Sequence, residues 1–268
     1  MKIKISNEKY HASDALGSTG ISLLLDRPSK FKSQMIDGIR ETKPCYLTGN
    51  AFHCLVLEGK EFDKRYLVTN LDRRCKTFKE LTTANPEKKV LKQDEFNMIR
   101  AMRDSINQNS TIRNLLAKVS ETEPSVFWTD TATGVHCKCR PDAIVNFDGR
   151  LIIVDLKTTK DASQNGFAKA VAQFGYHRQA AWYSHGMEVE TGKKVDLFAF
   201  VAVEKSPPYD CAIYNLTYEA LATGRKECKK AIGIYNHCKK TNTWTGLPEG
   251  ITELSLPEWY IYSHRCDS

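Results

Sequence analysis

The stretch 135–157, VHCKCRPDAIVNFDGRLIIVDLK, constrains this chain more than any other. It reads as two strands carrying acids. The first run passes through Arg140-Pro141-Asp142 into the apolar Ala143-Ile144-Val145. Asp148-Gly149 supplies a two-residue hairpin turn, because glycine takes a positive φ without a Cβ clash. The second run, Leu151-Ile152-Ile153-Val154, is apolar and mostly β-branched, which suits a strand buried on both faces, and it ends in Asp155-Leu156-Lys157. Side chains alternate along a strand, so Asp155 and Lys157 project to one side and Leu156 to the other. The hairpin can bring Asp142 alongside them. Two carboxylates held that close repel unless a cation lies between them, and hard oxygen ligands of this kind suit Mg²⁺ or Mn²⁺. A lysine beside such a metal can orient or deprotonate a water, the arrangement needed to attack a phosphodiester. Pro-Asp and Asp-x-Lys also arise by chance, as a surface turn and an exposed ion pair, so the surrounding sequence has to decide.

At 268 residues and 41% hydrophobic, the chain can bury a substantial core. The expected organisation is a single domain over 1–268: a mainly helical N-terminal layer over 1–120, a catalytic core over 121–240 and an irregular aromatic tail over 241–268. No apolar run reaches membrane-spanning length, and the N-terminus MKIKISNEKYH has no apolar signal region, so a cytoplasmic protein is expected. Nine cysteines, an odd number, read as reduced thiols. Cys137 and Cys139 share a strand face with Val135 and read as small core residues. Cys211, Cys228, Cys238 and Cys266 lack the short spacings of zinc or iron–sulfur sites.

The net charge of +7 is modest, but its distribution is uneven. Between 71 and 92 lie Arg73, Arg74, Lys76, Lys79, Lys88, Lys89 and Lys92 against Asp72, Glu80 and Glu87. Such a segment can neutralise phosphates with release of counterions, or it is a solvated loop, and Asn85-Pro86 favours the loop. Gly17-Ser18-Thr19-Gly20 precedes a short helix at Ile21, which Pro28 ends or restarts. A helix over about 50–58 is expected, capped by Thr48 and stopped by Gly59, with His53 in its apolar middle. Taken alone, His53 reads as a hydrogen-bonded core residue. Residues 94–116 read as two amphipathic helices interrupted near Asn109-Ser110, with Phe96, Ile99, Met102 and Ile106 inward. A helix over 166–186 puts Tyr176, Gln179 and Tyr183 on one face. Strands over 195–203 and 210–216 flank Pro207-Pro208, and Thr217 caps a helix reaching about 239. Trp244, Leu254, Pro257, Trp259 and Tyr260 mark an irregular tail expected to pack onto something by its aromatics. The order implies an α/β fold with a mixed central sheet flanked by helices.

Gly49-x-x-x-His53 with Leu57-Glu58, then Arg140-Pro141-Asp142, Asp155-Leu156-Lys157-Thr158-Thr159 and Gln179-x-x-x-Tyr183, resemble in order and spacing the motifs of the RecB-like branch of PD-(D/E)-x-K nucleases. Tyr10-His11, Gly20-Ile21-Ser22-Leu23, Pro28-x-x-Phe31 and Asp72-Arg73-Arg74 are similar to the RecE-type (exodeoxyribonuclease VIII) nuclease domain. The resemblance covers nearly the whole chain, with Asp155 where many relatives carry Glu. It implies a Mg²⁺-dependent 5′ to 3′ exonuclease on double-stranded DNA ends, with Mn²⁺ able to substitute. It further implies a single-strand annealing partner of the RecT type and a ring-like homo-oligomer. His53, Asp142, Asp155 and the Leu156 carbonyl would hold the metal, Lys157 would position the water, and Gln179 and Tyr183 would support the DNA or the lysine. Arg73, Arg74, Lys76 and Arg140 are the cations expected on the DNA backbone. Two other activities fit the same residues: an endonuclease or Cas4-like repair nuclease of the same fold, and a catalytically silent DNA-binding module.

Overall fold

The computed structural model describes residues 2–3, 5–39 and 44–263. Its first part contains β1 (Lys2–Ile3), α1 (Asn7–Ala12), α2 (Ser18–Asp26), α3 (Pro28–Phe31), α4 (Pro44–Leu57), α5 (Phe62–Arg65), β2 (Tyr66–Thr69), α6 (Lys76–Ala84) and β3 (Lys89–Lys92). Then come α7 (Gln93–Gln108), α8 (Ser110–Leu116), β4 (Val119–Thr122), β5 (Ser125–Thr129), β6 (His136–Cys139), β7 (Ala143–Phe147) and β8 (Arg150–Thr159). They are followed by α9 (Gln164–Phe174), α10 (Tyr176–Thr191), β9 (Leu197–Glu204), β10 (Cys211–Tyr214), α11 (Tyr218–Thr241) and α12 (Glu258–Ser263).

The central sheet is mixed, in the order β10-β9-β8-β7-β4. β8 runs parallel to β9, and β7 returns antiparallel through the expected turn, where Asp148 (φ 49°) and Gly149 (φ 75°) both adopt positive φ. That pair of dihedrals suits a tight hairpin whose twist matches its strands. β8 is the central strand, and alternation feeds two cores. Ile153 joins Trp182, Phe198 and Phe200 on one face. Val154 and Leu156 join Phe52, Ile99 and Met102 on the other. Helices therefore cover both faces, as an apolar strand of this kind requires.

Several elements differ from the sequence expectations for local reasons. The run before the hairpin is two strands: β6 leaves for a separate sheet, β1-β5-β6, and the break falls at Pro141, which has no N–H to extend a ladder. Val135, Cys137 and Cys139 do share one core. α4 begins at Pro44, so Thr48 lies inside the helix instead of capping it; proline is well suited to a first helical position. The basic stretch is not one loop: it holds α6, which Cys75 Sγ caps by accepting the Phe78 N–H at 3.4 Å, and β3. The helix expected over 166–186 is broken at Gly175, whose φ of 69° stops α9 and starts α10. In the tail, Trp244 stacks on Phe31 at 5.4 Å, but Trp259 stays 71% exposed, so the aromatics do not pack as a group. Among the described residues, no helix is long and apolar enough to cross a membrane.

Candidate active site

The reactive groups collect where β7 ends and β8 continues. The last β7–β8 pair is Ala143 with Val154, so past it β8 loses its neighbour on that edge while staying paired to β9 through Thr159. Asp142 sits in the resulting gap. Its Oδ2 accepts the Leu156 N–H at 2.8 Å and lies 3.3 Å from His53 Nδ1, contributed by α4. The N–H and C=O of one strand residue face the same edge, so the Leu156 carbonyl also opens toward Asp142. Asp155 is 0% exposed, and Lys157 Nζ forms an ion pair with its Oδ2. The other Asp155 oxygen, Oδ1, has no partner among the described residues.

Burial pushes the Asp155 carboxyl up to about 6, with Asp142 adding to the rise and Lys157 opposing it. For Asp142, burial also works against the charge. The neighbouring His53, Lys157 and Leu156 N–H outweigh it and hold this carboxyl below the usual range. His53 is held above its ordinary value: burial opposes its charge, but Asp142 prevails. Lys157 likewise resists deprotonation, because Asp155 and Asp142 overcome the cost of burying an ammonium. The environment thus drives the two acids apart, one readily ionised and one reluctant, a pattern typical of functional carboxylates.

α10 supplies the far wall. Burial pushes Tyr183 up to about 12, with Asp155 nearby, while hydrogen bonds that its oxygen accepts from Ser18 and Gln179 act in the opposite sense. Gln179 and Tyr183, one turn apart, thus act as a joined pair beside Asp155. Tyr176, placed by the sequence on the same helix face but given no role there, is a direct neighbour of the lysine: Lys157 Nζ lies 4.8 Å from its ring centre. A second residue escaped sequence reasoning altogether. Glu123 has φ 47°, and its N–H donates to the Asp142 carbonyl at 2.9 Å. Although much of the residue faces solvent, desolvation raises its carboxyl, and Glu58 and Asp142 add to the rise. No motif spacing points to it.

The expected cations divide in two. Arg74 and Lys76 are 93% and 90% exposed, in loose pairs with Asp72 and Glu80. Arg73 is committed to Glu95 at 2.8 and 2.7 Å. Arg140 turns away from the carboxylates. Its guanidinium donates to Ser125 Oγ, Asn7 Oδ1 and the Ile5 carbonyl, fastening the N-terminal segment to β5.

A divalent cation is tested by the donors themselves. Asp155 is a buried carboxylate with one oxygen unpartnered, and Asp142, the Leu156 carbonyl and an imidazole lie near it, which fits a hard metal ion with one softer ligand. Among the described residues, however, no three His, Cys, Asp or Glu side chains form a ready metal cage. Lys157 and His53 instead neutralise one acid each, so an entering cation has to displace those pairings.

A model of the family described as "PDDEXK-like domain of unknown function" (DUF3799) matches residues 26–254. The fold is similar to the crystal structure of a candidate exonuclease from Eubacterium rectale, with TM-score 0.61 and 16% identity over 93% of this chain and 97% of that one. The crystal structure of SSO0001 aligns with TM-score 0.32 and 15% identity over 70% of this chain and 86% of that one, too distant to bear on the fold. No curated protein matches the chain significantly. With the family match spanning both acids, the lysine and the whole mixed sheet, the chain belongs to the PDDEXK-like DUF3799 family.

Proposed function

We propose that the chain is a metal-dependent exonuclease on double-stranded DNA ends, degrading the 5′-terminated strand and leaving 3′ single-stranded tails for annealing-type recombination. The observation that carries this reading is Asp155, a wholly buried carboxylate whose Oδ2 is paired with Lys157 and whose Oδ1 has no partner, set across from Asp142. A buried carboxylate with one oxygen left unsatisfied is costly, and a metal cation can complete it. Asp155, Asp142, the Leu156 carbonyl and His53 are the groups that would hold Mg²⁺ or Mn²⁺. When bound, such an ion supplies charge neutralisation at the scissile phosphate and acidifies a water.

The chain's own residues divide the remaining work. Lys157, held protonated by its acidic neighbours, serves as a hydrogen-bond donor that orients water or steadies charge on a phosphoryl oxygen. It is a poor general base in this setting. Gln179 and Tyr183 form a buttress that keeps α10 against Asp155. The 5′ to 3′ sense, a RecT-type annealing partner and a ring-like homo-oligomer rest on the RecE-type motifs, and the name of the Eubacterium rectale neighbour supports the end-dependent sense.

The test is digestion of matched linear and covalently closed circular duplex, each with Mg²⁺ or EDTA, with the linear strands labelled at their 5′ ends. Loss of the linear form alone, early release of label and silence in EDTA are expected. Comparable loss of circles would make the protein an endonuclease of the same fold. Binding without cleavage of either form would make it a silent DNA-binding module.

A further inference from the structure

The segment after Trp244 leaves the body with its apolar side chains in solvent. Its root is fixed: Trp244 stacks on Phe31, and the Ser29 N–H donates to the Thr245 carbonyl at 3.0 Å. Beyond that point Leu247 is 70% exposed, Ile251 106%, Leu254 94%, Leu256 61% and Trp259 71%. Scattered exposed apolar residues are ordinary, but a run of this size in one segment marks a surface that is covered by something.

The body carries a matching recess. A groove of about 520 Å³ lies between α2 and α11, walled by Leu24, Leu25, Pro28 and Ile234 and bordered by the exposed Lys230, His237 and Asp26, of which Asp26 is already paired with Arg27 and Lys30. Charge is complementary. Residues 246–263 contain Glu249, Glu253 and Glu258 and no Lys, Arg or His, whereas α11 carries Arg225, Lys226, Lys229, Lys230, Lys239 and Lys240. Its acids are Glu219 and Glu227, and Glu227 is already bound by His177 and Arg178. An apolar, acidic strand therefore suits this groove better than a nucleic acid or a basic peptide does.

We propose that the segment from Leu247 to Trp259 docks in the α2–α11 groove of a second copy of this chain. Thr243 and Thr245, at the segment's own root, line the groove, so the residues that follow start beside it and run outward. Leu254 lies nine residues beyond Thr245, a distance of up to about 30 Å in extended chain. The segment's apolar residues lie in solvent instead of in their own groove, and this length lets them enter a neighbour's. Every copy owns both a segment and a groove, so donation from copy to copy closes a symmetric assembly. This joint rests on the homo-oligomer proposed above and is independent of the chemistry at Asp155: a monomeric wild type would remove both, whereas variants that keep the wild-type mass would remove the joint alone.

Two full-length variants test it by size-exclusion chromatography with light scattering. Leu254→Asp disables the segment at a solvent-exposed position. Gly233→Trp fills the groove: Gly233 lines it, and a Cβ there meets nothing within 4 Å, so the helix tolerates the change. The wild type should associate, and each variant alone should associate at least tenfold more weakly while melting like the wild type. Mixing the two should restore a heterodimer, because one retains a working groove and the other a working segment. A monomeric wild type at high micromolar concentration, variants that keep the wild-type mass, or a mixture that stays monomeric would each overturn the proposal.

Discussion

The ammonium of Lys157 lies 4.8 Å from the centre of the Tyr176 ring, which in turn stacks near Phe200 at 6.0 Å. The lysine is thereby held between an acid and an aromatic face. Asp155 fixes its charge and Tyr176 limits where the charge can swing, because a ring face attracts a cation without offering it a proton acceptor.

Tyr176→Leu should therefore lower turnover with little effect on DNA affinity, whereas Tyr176→Phe, which keeps the ring, should be close to wild type. A cation–π contact of this kind is worth about 0.5–2 kcal/mol, so the loss in kcat should be about threefold to thirtyfold. The measurement is single-turnover cleavage of labelled duplex, with melting temperature as control. Equal activity in the Leu and Phe variants would remove Tyr176 from the lysine's support.

Removing Asp155 should separate chemistry from stability. Asp155→Ala abolishes metal-dependent cleavage and strands Lys157 as an unpaired buried charge, a change that typically costs about 3–5 kcal/mol. Asp155→Asn with Lys157→Met removes both charges and should regain much of that stability with no regain of activity. Lys157→Ala alone should slow turnover by roughly two orders of magnitude or more and leave DNA binding intact. Cleavage by either Asp155 variant near the wild-type rate would reject the site.

The raised carboxyl of Asp155 sets a pH window for the metal. In metal-free protein this group holds its proton up to about pH 6, above the roughly 3.9 of an unfolded aspartate. Its contribution to stability is thus fully present below about pH 4 and is lost as pH rises through about 6. A bound cation competes with the proton for the same oxygens, so its effect runs the other way. The rise in melting temperature on adding Mg²⁺ should be large at pH 8 and shrink as pH falls through about 6. Equal rises at pH 5 and pH 8 would take Asp155 out of the ligand set.

The hairpin was legible because its determinants are local. Asp148-Gly149 demands positive φ, and the strand alternation that follows fixes which side Asp155 and Lys157 take. The roles of Leu156, Gln179 and Tyr183 come from the family motifs, not from that frame. What stayed hidden depends on tertiary choices. Gly175 lies within a continuous helical pattern, and only the close approach of Arg178, whose side chain would meet a Cβ there at 2.1 Å, shows why the helix breaks. Cys75 is not a usual capping residue, so α6 read as a loop. Arg140 sits in the motif itself, yet its partners Asn7 and Ser125 come from distant sequence that no local pattern links to it.

That last distinction divides the four expected DNA contacts. Arg74 and Lys76 extend into solvent with nothing stronger than an exposed ion pair, so they remain available to phosphates. Arg73 is held bidentately by Glu95, and Arg140 is spent on the N-terminal segment. Each phosphate neutralised contributes roughly 0.9 to the slope of log affinity against log salt. The double variant Arg74→Ala/Lys76→Ala should therefore flatten that slope by about one to two, weakening binding at low salt far more than at high salt. Arg140→Ala should lower the melting temperature and leave the slope unchanged, because it unfastens β5 from the chain start without removing a phosphate contact. Anisotropy of a labelled duplex titrated across KCl in EDTA, where cleavage is suppressed, reads both effects. A slope lost with Arg140 but retained without Arg74 and Lys76 would move the DNA path from α6 to the hairpin side of the site.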